Sequence, residues 1–404
     1  MSPAETFFAI CPRGLEELLS QELAACGASG CVAEPGGVVF AGALRTAYAA
    51  NLRSRLASRI LWRIARNGYA NEDDVFAAAH AVAWERWFGA DDLLRVDVTA
   101  TRTPLRSREF ATLRIKDGIV DRLREQTGAR PSIDRARPDV RVFAHLSADT
   151  IDLYLDLSGE PLFKRGWRAE KGEAPLKENL AAGLLALAGW KPEITLLDPF
   201  CGSGTLVIEA ASIATRRAPG LDRRFAFERL RDFDRATWNE LLGAARAQVD
   251  DSAAALIVGS DISTQVVELA RNNGQVAGLA RLLSDGRLQL GAGDARTVDA
   301  PAKSGILISN PPYGAQSNPK SASVPRLMND LAANLKRNFD GWTAWLLTSD
   351  LDLPHQMRLK ESRRTVLFNG PLECRFFRFE LVSGGYRSGS GRGGLRDEPP
   401  TAGT

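Results

Sequence analysis

The segment that most constrains this chain is Leu196-Leu-Asp-Pro-Phe-Cys-Gly-Ser-Gly-Thr-Leu-Val-Ile-Glu209. It reads as a buried strand ending in an acid, then a tight Gly-Ser-Gly loop, then a helix. In an open α/β sheet, ligands bind outside the carboxyl ends of the strands, so the loop marks a cofactor site. Gly202 and Gly204 let backbone approach a ligand closely. A dinucleotide site would need a third glycine and an acid about 20 residues further on, and a phosphate-binding P-loop would need Gly-Lys-Ser/Thr; neither is present. With those two set aside, and against the alternative of a plain Gly-rich turn, the segment is read as a loop for S-adenosylmethionine. Asp198 would lie near its cationic aminoacyl end, and Pro199, Cys201, Gly202, Ser203, Gly204 and Thr205 would form the loop around it.

From Pro175 onward the pattern repeats as strand, loop, helix. Strands are expected at Thr195 to Phe200, Ala255 to Ile262, Leu288 to Asp294, Gly305 to Asn310 and Trp342 to Ser349, with helices such as Thr205 to Thr215 and Thr264 to Ala277 between them. That alternation predicts an α/β fold, a Rossmann-like doubly wound, mostly parallel sheet. Arg364 to Asn369 and Cys374 to Leu381, joined through Gly370-Pro-Leu-Glu, read as an antiparallel hairpin at the sheet edge. Asp261, with Ile262 after it, ends the second strand, where a carboxylate can accept two ribose hydroxyls. Asp294, followed by Ala295, ends the third and could accept from an adenine amine. Taken singly, both are ordinary strand-end acids; their order after the glycine loop gives them meaning. Residues 216–254 look like an insertion, because Asp198 and Asp261 are further apart than a usual strand-helix-strand unit requires.

The chemistry is named by Ile308-Ser-Asn-Pro-Pro-Tyr-Gly314, which follows another apolar strand. Pro311 and Pro312 stop the ladder and stiffen the backbone, holding the Asn310 side chain and the Pro311 carbonyl in place. An exocyclic amine conjugated to a base or an amide is a poor nucleophile. If Asn310 Oδ1 and the Pro311 carbonyl each accept one of its N–H groups, the nitrogen can pyramidalise and aim its lone pair at a methyl carbon. Tyr313 offers a ring face on which a planar substrate can stack. An in-line displacement from a sulfonium needs no general base before transfer, and none is evident.

The first half reads as small α+β units. Arg13 to Leu23 has helical spacing, residues 36–40 a turn entering a strand, Leu94 to Thr99, Val140 to Leu146 and Ile151 to Leu157 strands, and Leu113 to Glu125 a helix. Two basic stretches lie here. Arg45 to Arg66 holds six arginines and no acid, and Arg102 to Arg141 holds eleven basic against six acidic residues. Both are candidate RNA contacts, although arginine equally serves surface ion pairs. The five cysteines form no CxxC pair and the three histidines are isolated, so no disulfide framework, metal site or His-based triad is expected. No stretch of about 20 apolar residues suggests a membrane span or leader, and the expected location is cytoplasmic. Ser383 to Thr404, with seven glycines and three arginines, is expected to be a disordered tail.

These motifs resemble the class I amino-methyltransferases with Asp-Pro-x-Cys-Gly-Ser-Gly-Thr and Asn-Pro-Pro-Tyr. More narrowly, the chain is similar to bacterial 23S ribosomal RNA guanine-N2 methyltransferases that begin with a THUMP domain. The similarity runs from about Phe7 to Leu381 through Arg13-Gly-Leu-Glu-Glu-Leu-Leu19, Ser54-Arg-Leu-Ala-Ser-Arg-Ile60, Asp152 to Gly159, Arg165-Gly-Trp-Arg168, Ala174 to Ala182 and Ala218-Pro-Gly220. It implies a ferredoxin-like region over 1–60, a THUMP domain over 45–158 for RNA capture and a methyltransferase domain over 165–382. Asp198, Gly202, Gly204, Asp261 and Asp294 would hold the cofactor, Asn310 to Tyr313 the guanine amine, and Pro175 to Asn179 would cover the methionine end. Some relatives continue into a second methyltransferase; this sequence stops at Thr404, so the single form is expected. The implied substrate is 23S rRNA or a pre-50S particle. A transfer RNA remains the alternative, with DNA adenine N6 or a protein glutamine amide behind it.

Overall fold

The computed structural model describes residues 4–168, 176–252, 256–312 and 324–382. Two seven-stranded sheets organise them. The first contains β1 (Glu5–Ile10), β2 (Ser29–Glu34), β3 (Gly37–Gly42), β4 (Arg59–Gly68), β5 (Leu94–Ala100), β6 (Val140–Leu146) and β7 (Thr150–Asp156), in the order β2-β3-β1-β4-β7-β6-β5. Pro35-Gly36 turns β2 into β3, with Gly36 at φ +90° where a side chain would be strained. The long β4 pairs antiparallel with β1 on one edge and β7 on the other. One sheet therefore runs unbroken through the whole first half.

The helix expected at Leu113 to Glu125 spans Arg108–Thr127. It begins earlier because the Ser107 hydroxyl accepts from the Phe110 N–H and caps it, and it ends at Gly128 in the left-handed region.

The second sheet contains β8 (Leu196–Asp198), β9 (Ile257–Asp261), β10 (Leu288–Ala292), β11 (Ile306–Ser309), β12 (Trp342–Thr348), β13 (Arg363–Asn369) and β14 (Leu372–Leu381), in the order β10-β9-β8-β11-β12-β14-β13. The first five are parallel, and β14 and β13 close the edge antiparallel, joined by Gly370-Pro371 alone. This is the doubly wound sheet with its terminal hairpin. Successive residues face opposite sides. Leu196, Ile308 and Trp345 enter one core, while Leu197, Leu307 and Leu346 enter another with the helix Val324–Asn338. The first of these cores also contains Phe7, Phe40, Trp62 and Trp84 of the N-terminal half, so the two halves share one apolar interior.

Residues 216–252 explain that sharing. They form a 3-10 turn (Ala226–Arg229) and a helix (Arg235–Ala247) packed on the N-terminal helix Leu44–Arg53. Tyr48 stacks on Phe227 with centroids 4.3 Å apart, and Trp238 stands edge-on to both Phe225 and Phe227. Backbone bonds Phe227 N–H to Leu157 O, Gly220 N–H to Leu52 O and Arg231 N–H to Trp87 O extend the seam. The insertion is a clasp between the two sheets.

Candidate active site

Because β10, β9, β8 and β11 are parallel neighbours, their carboxyl ends make one rim. Asp198 is the last residue of β8, Asp261 the last of β9, Asp294 follows β10 by two residues, and Asn310 follows β11 directly. Four side chains singled out by sequence thus come from four adjacent strands.

Asp198 is buried, and its Oδ1 accepts from Ser309 Oγ at 2.5 Å and from the Phe200 N–H at 3.1 Å. Burial pushes its pKa up to about 7; the two donors pull against the rise and the nearby Asp261 charge adds to it. The loop next to it is held by the Cys201 N–H to Ser260 O bond and by Asp261, whose Oδ2 accepts from the Gly202 N–H at 3.2 Å and whose Oδ1 accepts from the Ser263 N–H. Gly202 lies at φ +52° with open space where a Cβ would project. Gly204, at φ +89°, starts the helix Thr205–Ala214 and lies against Ala270 and Ile208.

The other expected residues are less uniform. Pro199 and Cys201 are buried, and burial raises the Cys201 thiol pKa well above its usual range, so it stays a neutral packing group. Ile262 is 67% exposed, an uncovered apolar side chain beside Asp261. Asp294 is already clamped by Arg296 Nε and Nη2, which holds its pKa below the usual range. Ala295 is buried in the core against the helix Val324–Asn338, so only its backbone could face a ligand. Asn310 Oδ1 is buried and has no hydrogen-bond partner among the described residues, and Pro311 beside it is buried as well. Pro312 is half-buried; Tyr313 lies outside the described residues, as do Pro175 and Ser383 to Thr404.

Sequence reasoning missed the supports of the loop. Arg168 donates to Ser203 Oγ (3.0 Å), Thr205 Oγ1 (2.7 Å) and Glu178 (3.0 Å). The Asn273 amide, fully buried, donates to Ser203 O. Arg168 sits in the Arg-Gly-Trp-Arg motif that carried part of the resemblance, which was the available signal. Two readings need correcting. Asn179 does not face the rim; its amide donates to Leu56 O and Ser58 Oγ of the N-terminal half. Most arginines of 45–66 are engaged within the fold rather than free along their length for RNA. Arg59 is buried against Asp156, Arg55 lies against Glu209 and donates to the Ser212 and Arg217 carbonyls, Arg63 and Arg66 flank Asp152, Arg45 pairs with Glu240 and Arg53 with Gln248. No acid lies within that stretch because the acids come from elsewhere in the fold.

Residues 165–378, more than half of the chain, match the RMKL-like methyltransferase domain. The chain belongs to that family. Residues 6–61 also match the RlmL ferredoxin-like domain and residues 69–156 the THUMP domain. Among curated proteins, the ribosomal RNA large subunit methyltransferase K/L of Shewanella oneidensis is 40% identical over 380 residues, which cover 93% of this chain and 53% of that protein. Its counterpart in Shewanella pealeana is 39% identical over 375 residues, covering 92% and 52%. The chain spans about half the length of these relatives. Among solved structures, a putative methyltransferase complexed with SAH superposes with a TM-score of 0.83 at 28% identity, covering 95% of this chain and all of that one. A possible methylase from Clostridium difficile 630 gives the same values.

Proposed function

We propose that this chain transfers a methyl group from S-adenosylmethionine to the exocyclic N2 amine of a guanine in large-subunit (23S) ribosomal RNA. The observation that carries the chemistry is Asn310 Oδ1, a buried acceptor without a partner among the described residues, at the carboxyl end of β11 and one strand from the glycine loop. A buried acceptor left unpaired is costly unless a ligand completes it, and an amine N–H does so.

The residues present fit the cofactor. Gly202 leaves space that a Cβ would fill, Asp198 and Asp261 supply acceptors for a cation and for hydroxyls, and Ile262 offers an apolar edge. Of the four lone-pair sites on the Asp261 carboxylate, two hold loop N–H groups and two are left for a ribose. Asp294 would serve adenine only by giving up part of its Arg296 clamp. When bound, S-adenosylmethionine supplies an electrophilic methyl on a sulfonium. The protein's part is positional: Arg168, Glu178 and Asn273 fix the loop, and Asn310 with the Pro311 carbonyl orients the amine.

For RNA, the supporting observations are the THUMP match, the names of the relatives and the start of the second basic stretch, whose later members Arg114, Lys116, Arg122, Arg124 and Arg141 are ion-paired. Arg102, Arg106 and Arg108 are exposed and carry no ion pair among the described residues, and Phe110 and Leu113 stand 49% and 46% exposed beside them. Guanidinium groups beside an uncovered ring suit phosphates and unstacked bases. The pre-50S particle and the cytoplasm belong to this proposal; none of the helices described is long and apolar enough to cross a membrane.

The test is methyl transfer from labelled S-adenosylmethionine to total RNA from cells lacking the gene, followed by size separation and nucleoside analysis. N2-methylguanosine in large ribosomal RNA is expected. Label in transfer RNA would keep the chemistry and change the substrate, and no label in any RNA would redirect the search to DNA and protein.

A further inference from the structure

At the far end of the helix Thr205–Ala214, about 15 Å from the glycine loop by helical rise, a cleft of about 370 Å3 opens between the N-terminal half and the insertion. Its lining is Arg53, Arg55, Arg216, Ala218, Pro219 and Gln248, with three guanidinium groups and no acid. The nearest compensating charges are already shared. Glu209 lies against both Arg55 and Arg165, Glu22 also faces Arg55 while accepting from Ser54 and the Arg55 N–H, and Asp250 faces Arg216 and Arg287. Arg53 is held only by the neutral Gln248. Arg55 Nη1 makes no hydrogen bond, being 3.6 Å from Glu209 Oε2.

Arg216 adds an independent observation. The helix ends in a Schellman turn, with the Arg217 N–H to Ser212 O and the Arg216 N–H to Ile213 O. The left-handed residue of that turn is Arg216 at φ +53°, where glycine is the unstrained choice. The turn itself gains nothing from a side chain there. The side chain is exposed and has no ion pair among the described residues. A strained position occupied by a cation that shares its facing acid with Arg287, on a cleft with two more cations, indicates a ligand for the charge.

We propose that this cleft is an anion site that seats a phosphate of the RNA backbone, so that substrate is gripped at the seam as well as at the THUMP face. Guanidinium groups match phosphate oxygens in bidentate geometry. The RNA source rests on the function proposed above; the anion chemistry does not.

The strain supplies the variant for the test. Arg216→Gly removes the cation and relaxes the backbone, so its melting temperature should equal or exceed that of the parent, and SAH affinity should be kept. The first readout is the rise in melting temperature with inorganic phosphate against chloride at equal ionic strength, expected in the parent and at least halved in Arg216→Gly. The second is the slope of log K against log salt for a 23S rRNA transcript, expected to become shallower by about 0.7 to 0.9. Arg53→Gln should move both readouts in the same direction. Loss of the phosphate response with an unchanged RNA slope would support the anion site and assign it to a free phosphate-bearing ligand. A parent that responds to phosphate no more than to chloride, or an Arg216→Gly protein that responds like the parent, overturns the proposal. Failure of methyl transfer to RNA would sink the proposed function and leave the phosphate readout standing.

Discussion

Under the proposed function, the buried Asp198 carboxyl would make cofactor binding a proton-release reaction. With its pKa near 7 in the free protein, about a tenth of it is ionised at pH 6 and about nine tenths at pH 8. A ligand whose cationic amine faces this group binds the ionised form, so affinity rises with pH until the carboxyl is fully ionised. SAH affinity should therefore increase about tenfold from pH 6 to pH 8, roughly 1.4 kcal/mol, and flatten above. Calorimetry in buffers of different ionisation enthalpy should count nearly one proton released per SAH bound at pH 6 and almost none at pH 8. Asp198→Asn should abolish the pH dependence, since its amide oxygen can still accept from Ser309 and Phe200. The same shift acts on folding. The folded state holds this proton more tightly than the unfolded chain, so the free protein loses stability as pH rises from about 4 to about 7. Asp198→Asn should thus melt higher than the parent at pH 8 while binding SAH more weakly. An SAH affinity that is flat between pH 6 and pH 8 would refute the argument, whatever the melting data show.

Asn310→Ala should lower methyl transfer at least about a hundredfold, because the amine loses its orientation, while SAH affinity measured by calorimetry stays within a few-fold. Arg59→Ala should destabilise the protein by roughly 3 to 5 kcal/mol, the usual effect of leaving one member of a buried pair alone, visible as a large fall in melting temperature. Reversing Arg106 and Arg108 to Glu should leave the melting temperature nearly unchanged and make RNA binding less steeply salt dependent. Trp238→Ala, at 4% exposure in the clasp, should cost about 3 to 5 kcal/mol and open the seam to limited proteolysis.

The catalytic half was legible because its signals are local. Each parallel strand is a short apolar run ended by a residue whose chemistry is visible in the sequence, and Asp198, Asp261 and Asn310 all stand on the rim as expected. The strand ends were misjudged by a residue or two, so Asp294 lies past β10 rather than on it. The partners of the arginines of 45–66 were hidden for the opposite reason. Asp152, Asp156, Glu209 and Glu240 are far along the chain, and no local window pairs them. The clasp was likewise opaque, since Phe225, Phe227 and Trp238 read as scattered aromatics until Tyr48 gathers them. Arg168 was in plain view as a motif, but its role depends on the packing of the helix Glu178–Leu187 on the helix Thr205–Ala214, which brings Glu178 and Ser203 within its reach.

The shared interior has a consequence for who moves during the reaction. Gly183 lies so close under Leu15 that a Cβ there would come within 2.5 Å of its side chain, and Gly14 is equally tight beneath Val366 of β13. Welded in this way, the N-terminal half cannot swing toward the methyltransferase domain without tearing a core apart. Under the proposed function, the span between Arg106 and Asn310 would act as a fixed caliper that an RNA has to match. On that reading the adaptable partner would be the nucleic acid, which would have to unstack the guanine and carry it across that gap, with selectivity set by how readily a given RNA deforms over that span.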